Sequence, residues 1–328
     1  VGDALLRDTP DPTVSSASRA APHPDVAMAA RVAGPMRVNR WTLPVLRFLM
    51  GSAPMPHDAS GVLRTTHREP RLDVHRPEDQ TGRGALLLFH GGGYVMGGPA
   101  DVAPKAARIA RACGVPVVAP AYALGPERPF PAGLDDAHAA WKWLLGQADA
   151  LGVDQARIAI GGISAGGGLA ASLAQRLRDE GGVQPAAQLL VYPMLDDRTA
   201  ARAELDEPRH PVWDNRSNRF GWTGWLGGPP GQAEVPRYAV PARVPDLSGL
   251  PPAWIGVGTP DLFLSLPLGL GALHALLLAG VALPLFGEVA GYLGASMGAL
   301  SLGLGALALG VALRPERARW TALPLSLV

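Results

Sequence analysis

Arg157-Ile-Ala-Ile-Gly161 runs directly into Gly162-Ile163-Ser164-Ala165-Gly166, and Leu169 to Leu177 follows with helical character. An apolar strand, a Gly-x-Ser-x-Gly turn and a helix in that order form the context of a nucleophile elbow, which makes Ser164 the candidate nucleophile. The turn is so tight that its flanking positions must be nearly bare. The helix start behind it favours negative charge. In a chain with 41 glycines, a lone pentapeptide of this kind is also compatible with an ordinary strand-to-helix loop, so the surrounding pattern decides.

That pattern is α/β. Working outward from the elbow, Ala85-Leu-Leu-Leu-Phe-His90 is an unbroken apolar run, as expected of a strand buried on both faces. Lys105 to Cys113 reads as a helix, Val115 to Pro120 as a strand and Leu134 to Leu145 as a helix. Gln188 to Tyr192 and Ala253 to Val257 read as further strands. Strands separated by helices imply a mostly parallel central sheet with helices on both faces. Ligands of such sheets gather beyond the carboxyl ends of the strands. The expected division is an N-terminal part, residues 1 to 80, of short helices with an extended lead-in near Leu63 to Val74, and a main domain, residues 81 to 328. Between Asp197 and Ser248 the periodicity fails, and Pro211 to Trp225 carries three of the eight tryptophans among turn residues. An inserted lid over about 200 to 245, lining an apolar pocket, is one expectation; rings filling the core beneath it is the other.

Bulk composition narrows the function. The 29 Lys and Arg nearly balance the 28 Asp and Glu, so no global field draws the chain to nucleic acid or acidic lipid, and the expected partner is a small, weakly charged molecule. One cysteine, Cys113, excludes an internal disulfide and fits a reducing compartment, hence the cytoplasm; the apolar helix end around it suggests a buried thiol. The first residues show no basic segment followed by an apolar one, so no secretion signal is expected there, and because the chain starts without Met a few preceding residues are expected to be missing. His23, His57, His67 and His75 lie among Pro, Arg and Asp and read as solvated loop histidines.

The second constellation is His90-Gly91-Gly92-Gly93-Tyr94, right after the first apolar strand. Adjacent glycines let the backbone approach a ligand and point N–H groups at an oxyanion, which acyl transfer requires. Gly91, Gly92 and Gly93, with the Ala165 N–H just after the serine, form the candidate oxyanion hole. His90 beside them reads as a brace for the turn. The acidic partner should follow a later strand. Asp261, in Val257-Gly-Thr-Pro-Asp261-Leu-Phe, stands at the carboxyl end of such a strand, while Asp196 and Asp197 compete for the role.

Together these stretches resemble the hormone-sensitive-lipase-like branch of the α/β-hydrolases, which includes bacterial carboxylesterases. The resemblance rests on His90 to Tyr94, Tyr122-Ala-Leu-Gly-Pro-Glu-Arg-Pro-Phe-Pro131, Asp135-Asp136-Ala137, Gly162 to Gly167, Tyr192-Pro-Met-Leu-Asp-Asp197 and Gly258-Thr-Pro-Asp-Leu-Phe263. It implies an α/β-hydrolase fold with a helical cap, and a serine esterase; the aromatic residues of the expected lid favour short-to-medium acyl or aryl esters. Ser164 would be the nucleophile, Asp261 the acid, and Gly92, Gly93 and Ala165 the oxyanion donors, with Gly91 shaping the loop. No metal or organic cofactor, no nucleic acid and no membrane span are implied, and a homodimer is compatible with it. Ile163 departs from the pattern, since the family commonly carries an acid there.

The catalytic histidine is the larger departure. It should follow the acid, but the segment that resembles its loop, Ala290-Gly291-Tyr292-Leu293-Gly294, carries Leu293 in its place. His274, the only histidine after Asp261, falls in a helix-like run at the wrong end of the sheet. Residues 262 to 313 hold 18 leucines, 10 glycines and a single charged residue, Glu288. Three readings fit: a transmembrane hairpin, a catalytically inactive relative that binds a small ligand, or a recorded sequence whose polar positions have been replaced by Leu, Ala and Gly.

Overall fold

The computed structural model describes residues 37–52, 60–206 and 213–257. Within them seven strands form one sheet in the order β1-β2-β4-β3-β5-β6-β7. They are β1 (Val62–Arg68), β2 (Arg71–Pro77), β3 (Ala85–Phe89), β4 (Val117–Pro120), β5 (Ile158–Ile163), β6 (Gln188–Val191) and β7 (Ala253–Gly256). From β4 to β7 every pairing is parallel, and β1 and β2 join antiparallel at one edge. The sheet is therefore mostly parallel, as the alternating pattern required.

All five residues of β3 are buried. Because successive side chains point to opposite faces, Leu87 and Phe89 enter one core and Leu86 and Leu88 the other. The Leu87 face is covered by α3 (Ala132–Gly146) and α4 (Ala165–Glu180), through Leu134, Trp141, Leu169 and Leu173. On the Leu86 face lies α2 (Pro99–Cys113), through Val102, Ala106 and Ile109. This helix starts six residues earlier than its apolar spacing suggests. Pro99 occupies its first turn, and the Asp101 carboxylate accepts from the Gly98 N–H at 2.7 Å, a local cap that a search for apolar periodicity overlooks.

Several expectations need correction. The lead-in at 63 to 74 is a hairpin of two strands, since the turn at Glu69 and Pro70 reverses the chain and pairs Arg68 with Arg71. His67 and His75 accordingly sit on strands. His75 is 1% exposed, because β2 lies between β1 and β4 under α2, and His67 meets the Trp143 ring edge-on at 4.7 Å. His23 and His57 lie outside the described residues. Cys113, the last residue of α2, is half-buried rather than enclosed.

The stretch of failed periodicity also contains regular structure: the short α5 (Arg198–Ala201) and the three-turn α6 (Asn215–Leu226). Asp214 caps α6 by accepting from the Ser217 N–H at 2.8 Å, and Gly227 closes it in the left-handed conformation. Glycines and polar residues within the helix mask its period. Its Trp222 and Trp225 are fully buried in the main core, so for these two rings core filling is what the structure shows. Tyr94 stacks on Trp225 at 4.3 Å, and Trp225 Nε1 donates to the Ala239 carbonyl at 2.8 Å.

Before the sheet comes α1 (Leu43–Ser52), which with Val38 forms a small third core against Val95, Met96, Trp213 and Phe220. Arg47 fastens it: Nε donates to the Val95 carbonyl, Nη2 to the Gly125 carbonyl, each at 2.8 Å, and the guanidinium also pairs with Glu127. The rest of residues 1 to 80 that was expected to be helical lies outside the described residues.

Candidate active site

Ser164 is the junction between β5 and α4. Its backbone stands at φ 56°, ψ −117°, a region that side-chain-bearing residues rarely occupy and that is held here by its surroundings. Its N–H donates to the Val191 carbonyl at 2.8 Å, and its carbonyl accepts from Gly167, Gly168 and Met194. The serine is thus fixed from the neighbouring strand, from its own helix and from the loop after β6. Gly166 must be bare: a Cβ there would collide with the carbonyl oxygens of Phe89 and His90. This close approach draws the start of α4 against the end of β3, where the glycine loop begins.

The glycine loop reaches the serine directly. A Cβ on Gly91 would stand 3.4 Å from Ser164 Cβ and 3.0 Å from the Ile163 carbonyl oxygen. Gly92, at φ 111°, bends so sharply that its carbonyl accepts from both Val95 and Met96. Gly93 follows at φ 60° with the Trp213 ring packed on it. The first amides of a helix have no intrahelical acceptor, and Ala165 opens α4 directly after Ser164.

His90 is enclosed, 1% exposed, behind this loop. Its ring lies stacked 4.2 Å from Tyr122, and Nδ1 is 2.8 Å from the Gly91 carbonyl oxygen. A carbonyl only accepts, so Nδ1 carries the proton and donates. The Tyr122 hydroxyl in turn donates to the His90 carbonyl at 3.0 Å. Burial lowers the His90 pKa to about 4, and the ring is neutral at pH 7. This geometry is that of a brace for the glycine loop.

Asp196 and Asp197 are both spent in local pairing. Arg198 grips Asp196 through Nε and Nη2. Asp197, fully buried, accepts from the Gly231 N–H and from Arg243 Nε, each at 2.7 Å. Arg243 Nη2 is equally near the same oxygen but off the hydrogen-bond line. The pair ties the loop after β6 to the segment before β7. Asp261, His274 and Leu293 lie outside the described residues; among the described ones, Ser164, Ala165 and the three glycines come together. The sequence reading missed Trp213 as a neighbour of Gly93, and nothing local in the sequence signals that contact across 120 positions.

Among the described residues no helix is long and apolar enough to cross a membrane, and no group of three His, Cys, Asp or Glu side chains could hold a metal ion. The hairpin considered for 262 to 313 lies outside them.

Comparison with known proteins agrees with this architecture. The chain is 37% identical over 185 residues to esterase LipI of Mycobacterium tuberculosis, covering 56% of this chain and 57% of that protein. It is 40% identical over 154 residues to an ethyl acetate hydrolase of Pseudomonas putida, covering 45% and 48% respectively. The matched part therefore spans about half the length of these relatives. In three dimensions it superposes on a bacterial heroin esterase with a TM-score of 0.72 at 28% identity, covering 90% of this chain and 98% of that one. A family model described as the alpha/beta hydrolase fold matches residues 86–280. The chain belongs to the α/β-hydrolase fold family, in its hormone-sensitive-lipase-like branch.

Proposed function

We propose that the protein hydrolyses carboxylic esters through an acyl-enzyme on Ser164. The observation that supports this reading is the close approach of the glycine loop to the strained serine elbow, since acyl transfer needs backbone donors near the nucleophile. Ser164 Oγ attacks the ester carbonyl carbon, and the resulting oxyanion is held by the N–H groups of Gly92, Gly93 and Ala165, with Gly91 shaping the loop. Collapse breaks the bond to the alkoxide, which leaves as the alcohol on taking up, through solvent water, the proton that Ser164 Oγ released. Water then attacks the acyl-serine and releases the carboxylic acid. Asp261 is the acid that would orient a histidine base. The histidine belongs at the position of Leu293, and a leucine cannot take the serine proton.

The relatives named esterase and ethyl acetate hydrolase support ester hydrolysis over a binding role without chemistry. Short-to-medium acyl or aryl esters are the proposed substrates, with α1 and the segment carrying α6 as the lid. The activity resides in a cytoplasmic protein that needs no cofactor and is compatible with a homodimer.

The test is release of p-nitrophenol from p-nitrophenyl butyrate by the purified chain and by Ser164→Ala. Loss of the activity with the serine supports the reading. Equal rates from both proteins overturn it.

A further inference from the structure

Trp213 stands where the residues before α1, the glycine loop and α6 meet. Cη2 and Cζ2 of its indole pack on Gly93, and Cζ2 lies 3.4 Å from where a Cβ on Gly221 would be. Nε1 is bonded to the same ring carbon as Cζ2, so the N–H belongs to the side of the indole that meets the loop. That nitrogen is buried and has no hydrogen-bond partner, while the residue as a whole is only half-buried. Leaving a buried donor unsatisfied carries the desolvation penalty of that group with no bond to offset it. A phenylalanine would pack against the cluster of Val38, Leu43, Val95 and Met96 without that cost. Of the two other indoles in this region, Trp225 Nε1 is satisfied by the Ala239 carbonyl. Trp222 Nε1 is also unpaired, but its ring is fully enclosed in the main core beside Tyr94. Of these three described indoles, Trp213 alone combines an unused donor with contact to a glycine of the loop that faces Ser164.

We propose that the Trp213 N–H is a substrate-binding donor that pairs with a second oxygen of the ester, close to the scissile carbonyl. The protein then favours esters bearing an ether or carbonyl oxygen near that group over plain alkyl esters of the same size. This rests on the esterase reading of Ser164 and the glycine loop, and it adds a specificity that the loop alone does not supply, because backbone amides grip only the reacting oxygen.

The test uses matched ligand pairs of equal length, one member with an ether oxygen. On the acyl side these are the methoxyacetyl and butyryl p-nitrophenyl esters and their hydrolysis-resistant p-nitroanilides. On the alcohol side they are the 2-methoxyethyl and butyl esters and the corresponding N-alkyl amides. Turnover is measured for the esters and dissociation constants for the amides, with the wild-type chain, Trp213→Phe, and a second variant with 3-benzothienylalanine at 213, which keeps the bicyclic ring and replaces N–H by sulfur. In at least one pair the preference for the ether-bearing member over the plain alkyl member, read as the ratio of the two, should fall about two- to tenfold in both variants. Unaltered preferences in both pairs, or no binding of any amide to the wild type, overturn the proposal. The amide measurements do not depend on turnover. A shifted preference there without Ser164-dependent hydrolysis would overturn the esterase reading and leave the donor role standing.

Discussion

Gly91 and Ser164 lie side by side across 73 positions of sequence: a Cβ on the glycine would lie 3.4 Å from Ser164 Cβ and 3.0 Å from the carbonyl oxygen of Ile163. The second separation is tighter than ordinary packing, and its partner is backbone at the end of a fully buried strand, so the loop has to give way. Gly91→Ala is expected to displace the oxyanion donors and lower kcat about tenfold, close to 1.4 kcal/mol of transition-state stabilisation. KM and the thermal midpoint should change little. Steady-state kinetics on p-nitrophenyl butyrate beside a thermal melt check it, and unaltered kcat would mean that the loop yields without cost.

The elbow stores strain. At φ 56° and ψ −117° a residue with a Cβ pays about 1–3 kcal/mol, which glycine avoids. Ser164→Ala and Ser164→Gly both remove the hydroxyl, so both are expected to be inactive. The glycine variant should nevertheless be the more stable by about 1 kcal/mol, after its greater unfolded-state entropy is offset. Urea unfolding of the two variants measures the difference, and equal midpoints would argue against a strained serine.

His90 predicts a pH dependence. Burial holds its folded pKa at about 4, below the ordinary value of 6.5, so between these two values the unfolded chain binds the extra proton. Stability is therefore fully present above pH 6.5 and falls as the pH drops toward 4, with a contribution of about 3 kcal/mol for this ring. His138, also lowered by burial, acts in the same direction. The informative quantity is accordingly the difference between wild type and His90→Gln: the variant should start less stable at pH 7 and lose less between pH 7 and 4. Urea midpoints across that range decide it.

Leu293 carries the sharpest expectation about chemistry. A general base in the right place contributes roughly a hundredfold to ten-thousandfold. If the loop at 290 to 294 sits where the resemblance implies, Leu293→His should raise Ser164-dependent hydrolysis by about a hundredfold or more. Leu293→Gln, of similar polarity but without a base, should leave it unchanged. Equal responses to the two substitutions would remove position 293 from the mechanism.

Much of the fold could be read from the chain because the deciding signals are local. An apolar run such as Ala85 to Phe89 has to become a buried strand whatever it packs against. The spacing of glycines around Ser164 reflects a turn whose sterics are set within five residues. Helix ends were less legible: α2 and α6 begin at caps made by Asp101 and Asp214, and the glycines and polar residues of α6 hide the face that buries Trp222 and Trp225.

By itself, then, the sequence determined the alternating architecture, the serine elbow and the glycine loop, since backbone sterics and side-chain periodicity act between near neighbours. Only the tertiary structure decided that Gly91 lies beside Ser164, that His75 is enclosed between strands, that Asp197 is spent on Arg243, and which of three tryptophans stands at the loop with its N–H unused. Each of those outcomes joins residues far apart in the chain. They are fixed by how the sheet, α4 and α6 fill a common space, and no short window of sequence contains that information.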